Sequence, residues 1–181
     1  MRRSLITVVA LVGTATVAAA QGVATQNVNL SATVNGYCTI DGASNGTTRN
    51  ATIATANGKV SSPGNLALSG TNSTVICTSN ARIQLTTLSG GVTNPNTPTD
   101  SNYVNKIHYT ATATYNGATE TLTTTDTTTP GFTTAGAVTT AGAQTGPPLQ
   151  LAVSIAATPP TKFLLNGSYA DTITVTLTPT P

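Results

Sequence analysis

Among the 181 residues, the side chains equipped for acid-base, nucleophilic or metal chemistry are few: Cys38, Cys77, His108, and the acids Asp41, Asp100, Glu120, Asp126 and Asp171. A nucleophilic hydrolase needs a base within reach of its nucleophile, and a glycosidase needs two positioned carboxylates. One histidine and five scattered acids meet neither need by their spacing. His108 falls on the threonine-lined side of "IHYTATATY", where a solvent-facing side chain is expected. Asp171, in "GSYADT", stands just before an alternating segment and suits a turn or strand-start hydrogen bond. No glycine-rich phosphate loop or zinc spacing occurs, and "DGASNGTTRN" has too few carboxylates to hold calcium. The expectation is a chain that is not an enzyme and carries no cofactor or metal.

The cysteines depend on the compartment, which the N-terminus addresses. Arg2 and Arg3 lead into the apolar run "LITVVALVGTATV", followed by Ala18, Ala19 and Ala20. This reads as a signal peptide over residues 1–20 for the general secretory route, with an uncleaved anchor as the alternative. No second run of spanning length follows, so no membrane span is expected in the mature chain. In an oxidising compartment Cys38 and Cys77 are expected to form a disulfide, and closing a loop of about 40 residues is worth roughly 4 kcal/mol in the chain-entropy model.

Removing the signal also removes the charge excess. The formal charge of +2 falls to five basic residues (Arg49, Lys59, Arg82, Lys106, Lys162) against five acidic ones. No basic cluster remains, which speaks against nucleic acid as a partner.

The elements that would position these groups are strands. Ile107, Tyr109, Ala111, Ala113 and Tyr115 alternate with polar residues, and Asn116 and Gly117 then supply the preferred hairpin pair before "ATETL". "LQLAVSI" and "DTITVTLT" alternate too, and shorter strands fit "NLALS", "STVIC" and "RIQLTTL". No segment beyond the signal has helical periodicity. Six to eight short strands separated by turn signals predict an antiparallel, immunoglobulin-like β-sandwich over residues 36–181. "SGGVTNPNTPTDSN" reads as a loop, and the threonine-rich stretch from "TTTDTTTPGF" to "TGPP" as a loop with weak strands around Phe132 and Val138.

Residues 21–35 form an N-terminal extension that poses its own question. In "VNLSATVNGYC", Val28, Leu30, Ala32 and Val34 lie two apart, the pattern of a strand with one buried face. Alternation does not say whether that face is buried in the same molecule or in a neighbour.

The order "VNLSATVNGYCTIDG", "STVICTSNARIQLTTLSGG", "LLNGSYADTITVTLT" resembles the spore-coat-protein-U-like domain, which is shared with major subunits of archaic chaperone-usher pili. The resemblance covers both ends and the cysteine framework; between Thr93 and Pro160 only the strand pattern agrees. It implies a sandwich lacking its last strand, completed by the N-terminal extension of a neighbouring copy. Val28, Leu30, Ala32 and Val34 would then be donor-strand residues, and Ile173, Val175 and Leu177 would belong to the last strand lining the acceptor groove. It further implies copies of the chain as partners, a periplasmic chaperone and an outer-membrane usher, and passage through the periplasm to a surface fibre used in adhesion or biofilm formation. The ending "LTPTP" departs from the aromatic that closes the last strand of many such subunits, because Pro179 and Pro181 cannot donate strand hydrogen bonds. The competing expectation is a secreted, self-contained monomeric module that binds carbohydrate or matrix.

Overall fold

A computed structural model describes residues 29–33, 36–42, 52–66, 72–139, 144–145, 148–159 and 161–180. The chain divides into two compact units, Met1–Thr33 and Val34–Pro181. Of the first, residues 29–33 are described; they form no strand, and Leu30 is 91% exposed.

The second unit is an all-β sandwich with no helix among the described residues. Its strands of three residues or more are β1 (Cys38–Ile40), β2 (Gly64–Leu66), β3 (Val75–Cys77), β4 (Ala81–Thr87), β5 (Tyr109–Tyr115), β6 (Ala118–Thr123), β7 (Leu149–Ile155) and β8 (Ile173–Pro179). One sheet has the order β6-β5-β7-β2 and is antiparallel throughout. Against it lie β4, flanked by β8 and the short strand Ala137–Val138, and β3, flanked by β1 and Gln144–Thr145. The weak strands expected in the threonine-rich stretch are thus the second neighbour of β4, with Thr133 bridged to Thr86.

Alternation decides which side chains enter the core. Tyr109, Ala111, Ala113 and Tyr115 from β5, Leu122 from β6, and Leu149, Val153 and Ile155 from β7 are buried against Ala81, Ile83 and Leu85 of β4 and Val75 and Cys77 of β3. The threonines between the buried positions of β5 face those of β6, with hydroxyl pairs at 3.2 Å for Thr110 and Thr123 and 3.2 Å for Thr114 and Thr119. The β5–β6 hairpin turns at Asn116 and Gly117, both with positive φ (46° and 79°), as a two-residue turn matched to strand twist requires.

Cys38 and Cys77 are directly opposed on β1 and β3, with Cα atoms 4.2 Å apart, and form the disulfide. This fastens the first strand of the second unit to the core at its own start.

Candidate strand-acceptor edge

β8 pairs with β4 in one continuous register from Ile173 opposite Thr87 to Pro179 opposite Ala81. Leu88 N donates to Thr172 O at 2.9 Å and Thr180 N donates to Asn80 O at 2.7 Å. Hydrogen-bonded pairs alternate in an antiparallel ladder, so the even-numbered residues of β8 bond to β4. The N–H and C=O groups of Ile173, Val175 and Leu177 therefore point to the outer edge. Among the described residues no strand pairs with that edge.

Pro179 fits the same parity. Its missing N–H lies on the outer side, so the ladder to β4 loses nothing, which is the position a sheet tolerates for proline. The proline-bearing "LTPTP" ending therefore leaves β8 intact and ends the run of outward donors at Leu177.

The side chains along this edge are apolar and only half covered. Ile173, Val175 and Leu177 pack against the core yet retain partial exposure, while Thr174, Thr176 and Thr178 face solvent. β1 repeats the arrangement. Thr78 N donates to Tyr37 O and Asp41 N donates to Thr74 O, so the backbone groups of Cys38 and Ile40 point away from β3, and both side chains are half-buried. β1 lies beside β8, and a Cβ at Gly36, just before β1, would stand 2.8 Å from Pro179 Cβ, but the two strands do not pair.

The edge at β6 is built differently. At the inward-facing position opposite Ala113, β6 carries Glu120, whose carboxylate accepts from Gly136 N at 3.4 Å. An inward-pointing charge on an edge strand discourages further pairing, and β8 has none.

The motif "GSYADT" anchors β8. The Asp171 carboxylate accepts from five donors: Thr87 Oγ1 (2.6 Å), Tyr109 OH (2.8 Å) and Gly91 N (3.2 Å) at Oδ2, and Ser89 N (2.8 Å) and Thr172 N (2.7 Å) at Oδ1. It thus joins the end of β4, the "SGG" turn, the core strand β5 and the start of β8. Thr87 Oγ1 also accepts from Gly90 N at 2.8 Å. Gly90 has a positive φ of 74°, and a Cβ there would run into the Thr128 carbonyl oxygen. Tyr169 donates from its hydroxyl toward Leu165 O (2.9 Å) and Val104 O (3.1 Å), fixing the approach to β8. Burial pushes the pKa of Tyr109 above its ordinary value, opposed by the hydrogen bond with Thr87 and reinforced by Asp171. Burial also raises the pKa values of Tyr115 and Tyr169.

Of the candidate residues named from sequence, Cys38 and Cys77 are bonded, and Ile173, Val175 and Leu177 share the inward face of one edge strand. Leu30 and Ala32 are exposed, while Val28 and Val34 lie outside the described residues. His108 lies on the threonine-lined face, partly exposed, with Nε2 3.0 Å from Asp126 Oδ1. Asp171 makes the expected strand-start bond to Thr172 N but also holds four other donors; the signal for this was the pairing of "SGG" with "Y-x-D-T", two segments that only the fold brings together. Among the described residues no three His, Cys, Asp or Glu side chains cluster as metal ligands.

Comparison of the chain with family models, curated proteins and solved structures finds no significant match.

Proposed function

We propose that the chain is a structural subunit of an extracellular fibre or coat that polymerises by donor-strand complementation, with an immunoglobulin-like domain left incomplete at β8. The observation that carries this reading is the unpaired, uncharged and half-buried apolar edge of β8, in contrast to the charge-guarded edge at β6. The extension at residues 21–35 of a neighbouring copy supplies the missing strand. Val28, Leu30, Ala32 and Val34 point inward, and its backbone bonds the outward groups of Ile173, Val175 and Leu177. Seven residues at about 3.3 Å each reach roughly 20 Å, the length of an ordinary strand. Leu30, 91% exposed in the free chain, contributes about 1.5–3 kcal/mol on full burial. Before assembly a periplasmic chaperone covers the edge, and an outer-membrane usher exports the subunit to the cell surface, where the fibre supports adhesion or biofilm formation.

The test is the size distribution of the exported protein, run unheated in detergent, with and without residues 21–35. A detergent-resistant ladder that vanishes on truncation, with the domain still folded, is the expected result. Leu30→Asp in the full chain is expected to do the same. A monomeric full-length protein that unfolds on truncation would overturn the proposal.

A second reading, a monomeric binding module, draws on one observation. Tyr103 and Phe163 are exposed with ring centroids 6.3 Å apart, and Lys59 Nζ lies 4.9 Å from the Phe163 ring. Sugars stack on such rings, and saturable binding of an oligosaccharide by a monomer, lost in Phe163→Ala, would favour it.

A further inference from the structure

The acceptor edge has distinct ends, and each carries exposed apolar side chains. At the Pro179 end the chain passes Gly36 into β1, and Tyr37 beside it is 52% exposed. At the Ile173 end, Leu88 N bonds Thr172 O, so Leu88, 64% exposed, stands there, and Thr87 N bonds Phe132 O at 3.1 Å, which sets Phe132, 44% exposed, one strand further on, across β4.

The direction of strand exchange, which rests on the fibre reading, decides which ends meet. The extension leads directly into Gly36, so the donor's domain begins where its donor strand ends. A donor parallel to β8 would end at the acceptor's Pro179 end. Like ends would then meet, and reciprocal exchange would close the pair into a two-fold dimer. A donor antiparallel to β8 ends at Ile173 instead. Unlike ends meet, the contact is heterologous, and the chain of subunits stays open.

We infer that Tyr37 of each subunit packs on Leu88 and Phe132 of the next, forming a second contact between successive copies beside the exchanged strand. With strands about 4.8 Å apart, Leu88 on the β4 line stands two spacings, roughly 10 Å, from a donor on the outer edge of β8. A tyrosine and a leucine side chain bridge that distance together. An aromatic anchor seated on two apolar residues has the composition of an interface hot spot.

Incorporating photoreactive p-benzoylphenylalanine at position 37 of the full chain tests the contact, because Tyr37 is exposed and its replacement leaves the core untouched. Irradiated polymers are expected to cross-link to neighbouring-copy peptides containing Leu88 or Phe132. Polymers cross-linked instead through Ser79 or Pro179, or not at all, would overturn the inference and leave the fibre reading standing. A chain that remains monomeric with no intermolecular product would overturn both. In the complementary experiment Leu88→Glu is expected to lower the detergent-resistant fraction about tenfold and Tyr37→Lys to restore it, since opposite charges across a contact replace the lost apolar match. An unchanged fraction in Leu88→Glu would also overturn the contact.

Discussion

Asp171→Ala is expected to remove the anchor of β8. Five donors lose their acceptor, but they do not count equally. Ser89 N and Thr172 N lie nearer the surface, where water can replace the carboxylate, and the bond from the buried Gly91 N is the longest of the five, at 3.2 Å. Thr87 and Tyr109 are almost wholly buried, so their hydroxyls would be left without a strong acceptor. At about 1–3 kcal/mol for each buried group left unsatisfied, the two hydroxyls set a loss of roughly 2–6 kcal/mol. For a domain of this size about 2–4 °C accompanies each kcal/mol, so a centre near 4 kcal/mol corresponds to a fall in Tm of about 10 °C. Thermal unfolding followed by circular dichroism measures it. Asp171→Asn, which keeps one acceptor oxygen, is expected to fall between. Tyr109→Phe should destabilise the wild type but cost little in the Asp171→Ala background, because the hydroxyl it removes is already orphaned there. A loss below about 1 kcal/mol, or strict additivity of the two changes, would refute the view of Asp171 as a buried hub.

Three further outcomes are tied to particular residues. Folding raises the pKa of Tyr109 above its ordinary 10.0, so its contribution is fully present below pH 10 and declines above it as the unfolded chain ionises first. Denaturant titrations at pH 10 to 12 are expected to show a steeper stability loss in the wild type than in Tyr109→Phe, by up to about 1.4 kcal/mol per pH unit, and equal slopes would contradict this. Cys38→Ser combined with Cys77→Ser opens a loop of sequence separation 39 and is expected to cost roughly 4 kcal/mol in chemical denaturation; a change under about 1 kcal/mol would mean that the unfolded chain is already compact there. Glu120→Val removes the inward charge at β6 and is expected to produce aggregates that do not depend on residues 21–35; light scattering equal to that of the wild type would show that the charge does not guard this edge.

The strands were legible wherever one face is buried and the other wet. "LQLAVSI" is β7 residue for residue, and the Asn116–Gly117 pair marks the β5–β6 hairpin through local turn chemistry; Asn57–Gly58, with φ of 52° and 67°, turns a second, shorter hairpin between Thr55–Ala56 and Lys59–Val60. The region after "LSGG" was not legible as ordered structure because it is held by polar groups rather than by apolar period. Asn94 is buried, its side-chain amide donating to Asn166 O at 3.2 Å and its oxygen accepting from Asn96 N at 3.0 Å. The first of these contacts crosses 72 residues of sequence and leaves no local signature. The Asp171 hub was hidden for the same reason: each of its segments reads as a turn, and only the β4–β8 register makes them one site.

The parity of β8 ties the candidate site back to the sequence. Because Thr172 and Thr180 bond to β4, every apolar residue of "ITVTLTP" has its backbone turned outward while its side chain turns inward. Apolar side chains and backbone groups with no strand partner among the described residues therefore occur at the same three residues, Ile173, Val175 and Leu177. A strand that is merely the solvent edge of a finished sandwich gains nothing from this coincidence, since exposed donors are better accompanied by charge or a bulge. On the proposed reading both have a use: the backbone groups would hold an incoming chain and the half-covered side chains would complete the core beneath it. Pro179 would then be a stop, because an incoming strand would find outward N–H groups at residues 173, 175 and 177 and none at 179. The chain's own passage at Gly36 lies beside Pro179, so the outer edge of β8 is bounded at one end by proline and at the other by the Asp171 anchor.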